Sequence, residues 1–116
     1  MKRYRSRQFE RFFLERMTGD ELFTFDLQVG VFSKQPRQEG LFHADMTAKA
    51  GGRTVRITYY WSPRLNQLFV VGAHLVRRGE PSEWDQGQMD EYVSAILEWE
   101  HSPDSEPENF VFHEGD

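Results

Sequence analysis

His43, Asp45, Lys49, Arg53, Arg56 and Tyr60 crowd one short stretch of this 116-residue chain. Residues two apart on a strand project from the same face, so His43 and Asp45 stand side by side as imidazole and carboxylate. Such a pair can ligate a metal or orient a general base. The remaining histidines, His74, His101 and His113, have no ligand-like spacing to it, so no metal site is expected. Polar pairing of His43 with Tyr60 across two strands is sufficient. Between Lys34 and Gly79 there are eight Lys and Arg against two acids, a local net of +6. Cations beside exposed aromatics neutralise phosphates and stack bases, the chemistry of a single-stranded nucleic-acid platform. His43, Lys49, Arg56 and Tyr60 would supply it, with Phe69 added in one register of the next strand. The plain alternative is a solvated sheet face, or one covered by a helix. No Gly-rich phosphate loop, nucleophile elbow or zinc signature occurs, and no cofactor is implied.

A second chemistry lies further along. Residues 1–79 carry all 14 Lys and Arg with seven acids, a net of +7. Residues 80–116 carry the other 12 acids and no Lys or Arg, a net of −12. The overall −5 hides a basic body joined to an acidic segment. Net charge governs association and solubility rather than fold, so this points to partners. Glu83, Asp85, Asp90, Glu91, Glu98, Glu100, Asp104, Glu106 and Glu108 form the expected partner-binding set. A helix of spaced carboxylates can imitate a phosphate backbone toward a basic groove, and steering would speed the encounter. The same acids could instead fold over the basic sheet, or only keep the chain soluble.

The elements that position these groups can be read from periodicity. Phe9, Phe12, Phe13 and Met17 mark one face of a helix over residues 4–18, with Gly19 at the C-cap. Phe23, Phe25, Leu27, Val29 and Val31 alternate with polar residues or Gly30, the pattern of a half-buried strand. Residues 41–50 and 53–61 flank Gly51-Gly52, which suits a two-residue hairpin turn. That turn pairs Ala50 with Arg53, and then Phe42 with Trp61, Ala44 with Tyr59, and Met46 with Ile57 on one face. His43 with Tyr60, Asp45 with Thr58, and Thr47 with Arg56 share the other. After a turn at residues 62–67, the run 68–76 is apolar on both faces and suits a central, covered strand. If Ser62 pairs with Gln67, then Leu68, Val70, Gly72 and His74 join the core face.

From Ser82 or Asp85 to about Glu100 a second helix is expected, capped by acids and buried through Met89, Tyr92, Val93, Ile96 and Trp99. Residues 102–116, with Pro103 and Pro107, read as an acidic, flexible tail carrying one sticky patch, Phe110-Val111-Phe112. The expectation is therefore an α+β fold: an N-terminal helix, a four-stranded antiparallel β-meander, a C-terminal helix and a tail. Residues 1–101 make one domain. The chain as a whole is 28% charged and 38% hydrophobic, a soluble globular composition. With no cysteine, disulfides, thiolate metal sites and Cys nucleophiles are excluded. The basic start lacks an apolar h-region, which argues against a signal peptide. No run nears the roughly 20 apolar residues of a membrane span, so a cytoplasmic protein is expected.

Gly40-Leu41-Phe42-His43 and Gly51-Gly52-Arg53-Thr54-Val55-Arg56-Ile57-Thr58-Tyr59-Tyr60-Trp61 precede a hydrophobic strand ending His74-Leu75-Val76-Arg77-Arg78, and then a helix. In this order residues 40–99 resemble the C-terminal half of RelE/HigB-type toxins, ribosome-dependent mRNA endonucleases. The resemblance implies a sheet that binds RNA through basic and aromatic residues and promotes attack by the 2′-hydroxyl. His43, Lys49, Arg53, Arg56, Tyr60, Arg77 and Arg78 match by pattern. Two features depart from the family: strand periodicity over residues 23–31, where it has a helical pair, and an acidic overall charge. The sequence alone favours a non-enzymatic interaction module whose acidic helix and tail bind a basic partner, inhibiting a nucleic-acid-binding protein by charge mimicry. The RelE-like ribonuclease and a single-strand binder are the alternatives.

Overall fold

Ser6 ends a strand and opens a helix. Its hydroxyl accepts from Phe9 N–H at 3.0 Å and donates to the Val71 carbonyl. A computed structural model of the chain describes residues 2–35, 38–47, 53–104 and 109–114. Strand β1 is Lys2–Ser6 and helix α1 is Arg7–Arg16, so the expected helix over 4–18 is divided. A second helix, α2, runs over Gly19–Lys34. It occupies the stretch that alternates like a strand. Thr18 caps it: Thr18 Oγ1 accepts from Glu21 N–H at 3.3 Å while the Glu21 carboxylate accepts from Thr18 N–H at 2.9 Å. This reciprocal box satisfies two of the backbone donors a helix start leaves open. Gly19 therefore begins a helix instead of closing one. Phe25, Val29 and Phe32 face inward, whereas Phe23, Leu27 and Val31 face solvent. Apolar residues on both sides of one helix produce the misleading alternation.

Strands β2 (Gly40–Thr47), β3 (Thr54–Ser62) and β4 (Gln67–Val76) form an antiparallel meander, followed by α3 (Gln86–His101) and β5 (Phe110–Glu114). The fold is α+β, with a five-stranded mixed sheet in the order β2-β3-β4-β1-β5. Among the described residues, β1 and β4 are the one parallel pair of neighbours. The hairpin keeps its expected faces but not its partners. Phe42 pairs with Tyr59, His43 with Thr58, Asp45 with Arg56, and Thr47 with Thr54. Every pair has moved by two residues, an even step that leaves each side chain on its own face. The Gly51-Gly52 turn and Lys49 lie outside the described residues.

Ser62 pairs with Gln67 as expected, and Leu68 and Val70 face the core with Tyr59. A register shift between Thr58 and Tyr59 then moves Val71 out of step, so that Thr58 opposes Gly72 and Arg56 opposes His74. Such a bulge exchanges the two faces of the bulged strand. Beyond it Ala73 and Leu75 enter the core, and Gly72 and His74 pass to the other side.

Helices pack on both faces of the sheet. Against α1 and α2 lie Met46, Val55, Ile57, Tyr59, Leu68, Val70, Ala73 and Leu75. Against α3 lie Tyr4, Tyr60, Phe69, Val71 and Phe110, packed on Met89, Tyr92 and Ile96. Residues 110–114, read from composition as part of the tail, pair antiparallel with β1. Phe110 is buried, 5.3 Å from the ring of Phe69 and 5.5 Å from that of Tyr92. No helix of the described residues is long and apolar enough to cross a membrane.

Candidate functional site

Beyond the point where β1 turns into α1, side chains complete the exposed edge of β4. Gln8 Nε2 donates to the Ala73 carbonyl at 2.8 Å, and Ala73 N–H donates to Gln8 Oε1 at 2.9 Å. Leu75 N–H donates to the Glu83 carboxylate at 3.0 Å, which also accepts from Arg16 at 3.1 Å. Tying Glu83 down in this way fixes the segment that carries Trp84 across the sheet. Ser82 Oγ accepts from Trp84 N–H at 3.1 Å, and the indole N–H donates to Gln86 at 2.8 Å.

Two rows of side chains cross the sheet beneath that indole. One is Asp45–Arg56–His74, and the other is His43–Thr58 with Gly72. Arg56 donates twice to Asp45, at 2.7 and 3.0 Å, a fork that fixes the guanidinium plane. His43 Nδ1 lies 2.9 Å from Thr58 Oγ1. Both imidazoles meet Trp84 edge-on, His43 at 5.2 Å and His74 at 5.6 Å between ring centroids. His43, Arg56, His74, Ser82 and Trp84 line an open recess of about 230 Å³. It continues past Arg56 and His74 to Arg77, Glu80 and Pro81.

Burial pushes the pKa of both histidines down, and the Arg56 charge pushes the same way. Asp45 opposes this at each ring, and Glu83 does so at His74. Asp45 is itself held down, first by its hydrogen bonds to Arg56. The recess therefore presents two imidazoles biased toward the neutral form, able to accept a proton, beside a guanidinium that stays charged. Among the described residues no three of His, Cys, Asp and Glu come together as a metal site.

The residues expected from sequence divide sharply. His43 and Arg56 line the recess, and Arg77 lines its extension, paired with Glu80 at 3.3 Å. Arg78 is exposed in the turn beyond β4. Tyr60 is only 7% exposed under α3, and burial raises its pKa; it offers no stacking surface. Arg53 faces the other helical layer, where it pairs with Glu21. Of the acids, Glu83 is bound to Leu75 and Arg16, Asp85 is the α3 N-cap, and Glu100 accepts from Ser62 at 2.6 Å. Asp90 accepts from Gln86 at 2.7 Å. Glu91, Glu98 and Asp104 are exposed, and Glu106 and Glu108 lie outside the described residues. Sequence reasoning missed His74 and Trp84. His74 reaches the recess only because of the bulge, and Trp84 precedes α3 instead of joining it.

Comparison with models of known protein families gave no match, and comparison with curated proteins gave no relative.

Proposed function

We propose that the recess is a site for single-stranded RNA, at which His43 and His74 move protons during phosphodiester cleavage. The observation that carries this is the convergence of two imidazoles, from β2 and β4, on one indole beside Arg56. RNA supplies its own nucleophile. One neutral imidazole takes the 2′-hydroxyl proton as the oxygen attacks the adjacent phosphorus. The 5′-oxygen then leaves with a proton from the other imidazole in its protonated form, giving a 2′,3′-cyclic phosphate and a 5′-hydroxyl. Trp84 provides a face on which a base can stack. Arg56 uses Nε and Nη2 on Asp45, which leaves Nη1 for a phosphate oxygen. Because burial depresses both histidines, the optimum lies on the acid side of the ordinary histidine pKa of about 6.5. RelE-like chemistry is of this class, but here it would use His74 and Trp84 in place of the buried Tyr60.

The test is incubation of the purified chain with fluorescent single-stranded RNA and its all-DNA counterpart. Cleavage of the RNA alone to cyclic-phosphate ends, lost on His43→Ala or His74→Ala, is expected. RNA that is neither retarded nor cut at any pH from 5 to 8 overturns the proposal.

A second reading has its own observation. Asp90, Glu91 and Glu98 share the exposed side of α3 with Leu97, 42% exposed, and α3 contains no Lys or Arg. An acidic helix face with an apolar centre fits a basic protein groove. Reversing Asp90, Glu91 and Glu98 to Lys should then weaken capture of such a partner by about 0.5–1 kcal/mol per charge. Unchanged capture would remove this reading.

A further inference from the structure

Phe23, Leu27 and Val31 are 66%, 59% and 56% exposed on the outer face of α2. A helix on a domain surface buries one stripe and leaves the other polar; α2 is apolar on both. Its outward residues Asp20, Phe23, Leu27, Gly30, Val31 and Lys34 follow the three- and four-residue spacing of a helix-pairing seam. The order along that seam carries the argument. It starts with an acid, ends with a base, and has its apolar residues centred on Leu27.

We infer that α2 is the contact between two copies of this chain, packed antiparallel about a two-fold axis at Leu27. A two-fold interface must be complementary to itself, and this one is. Rotation about Leu27 sets Phe23 against Val31, Thr24 against Gly30, and Asp20 against Lys34 of the second copy. Each end of the seam thus gains an opposite charge, and each helix dipole meets its reverse. At Gly30 a Cβ would have nothing within 4 Å. The missing side chain leaves a gap where the two backbones can approach closely. A parallel pairing would instead set Asp20 against Asp20 and Lys34 against Lys34. One helix pair is a small contact beside the roughly 1,200–2,000 Å² of a stable interface, so the dimer is weak and reversible.

Sedimentation of the full chain from micromolar to millimolar concentration tests this. A monomer–dimer equilibrium is expected, abolished by Leu27→Glu without loss of the cooperative melt, since that side chain is solvent-facing. Asp20→Lys and Lys34→Asp should each weaken the homodimer about 5- to 10-fold. Mixing those two variants should restore association, because all the end pairs are then attractive. A wild-type chain that stays monomeric throughout, or single charge variants that dimerise like wild type, overturns the inference. The first result would leave the stripe to a different protein.

Discussion

Arg53 grips Glu21 with two hydrogen bonds, Nε to Oε2 at 2.7 Å and Nη2 to Oε1 at 2.6 Å. Nη2 also donates to the Arg16 carbonyl, where α1 ends. One guanidinium from the hairpin thereby fastens the junction of two helices. The Glu21 side chain is 2% exposed and that of Arg53 is 34% exposed, so removing the arginine strands a buried carboxylate. Arg53→Ala should lower stability by about 2–4 kcal/mol, read from urea denaturation. A loss below 0.5 kcal/mol, the size of an ordinary surface substitution, would mean that water replaces the guanidinium.

Acid should unfold this protein through identifiable groups. Hydrogen bonding to Arg53 holds the Glu21 pKa below the usual carboxylate value, while burial holds His43 and His74 below the usual histidine value. In each case the unfolded chain binds protons more readily, so stability rises with pH across the window between the two states. The histidine share is complete above the ordinary pKa of about 6.5 and fades as pH falls through the depressed values. The Glu21 share fades in the same way, at lower pH. Replacing both histidines by Gln should flatten the upper part of the melting-temperature profile between pH 5 and 7. An unchanged slope there would count against neutral imidazoles in the recess.

Gln8 serves as a surrogate strand. Its amide makes both hydrogen bonds to Ala73 that a neighbouring backbone would make, across a sequence separation of 65. Gln8→Ala should cost about 1–3 kcal/mol, since it leaves part-buried backbone groups unpaired. Gly72→Ala tests the same place from the other side. Its Cβ would sit 2.9 Å from Met89 Cε and 3.0 Å from Gln8 Oε1. Methionine can yield, but the bonded amide cannot, and a loss of about 1–2 kcal/mol is expected. Equal stability of Gly72→Ala and wild type would show that the layer is looser than its geometry.

Phe110 anchors β5 in the aromatic cluster beneath α3. Phe110→Ala should cost about 3 kcal/mol, and removing residues 110–114 should cost at least as much by uncovering β1. Thermal melts of both variants check this. A full-length melting temperature in the truncated chain would mean that the last strand contributes nothing.

The hairpin faces were legible because strict alternation on two strands admits only an even slip. The slip itself was not legible, since periodicity cannot choose among even registers. Residues 23–31 misled because solvent-facing Phe23, Leu27 and Val31 complete a period of two with inward-facing Phe25 and Val29. The correcting signal was present: Thr18 and Glu21, three apart, make a capping box ahead of that run. β1 is too short and polar to announce itself, and only its pairing with β4 and β5 defines it. The bulge at Thr58/Tyr59 left no mark in composition, yet it carries His74 into the recess. Half of the candidate site was therefore beyond sequence reasoning. His43 and Arg56 could be named from alternation alone, whereas His74 and Trp84 required the folded sheet.

The place of β1 in the sheet also sets the order in which the molecule can be assembled. Both of its neighbours, β4 and β5, come from later in the chain. As synthesis proceeds, α1, α2 and the β2–β3 hairpin are made before β4, the earlier of the two partners of β1, and α3 is made before β5, the later one. Long-range pairing of this kind must bear its loop-closure entropy before any contact repays it. The place of the first strand between β4 and β5 is thus filled late, and until β5 arrives the growing chain presents an open strand edge to its surroundings.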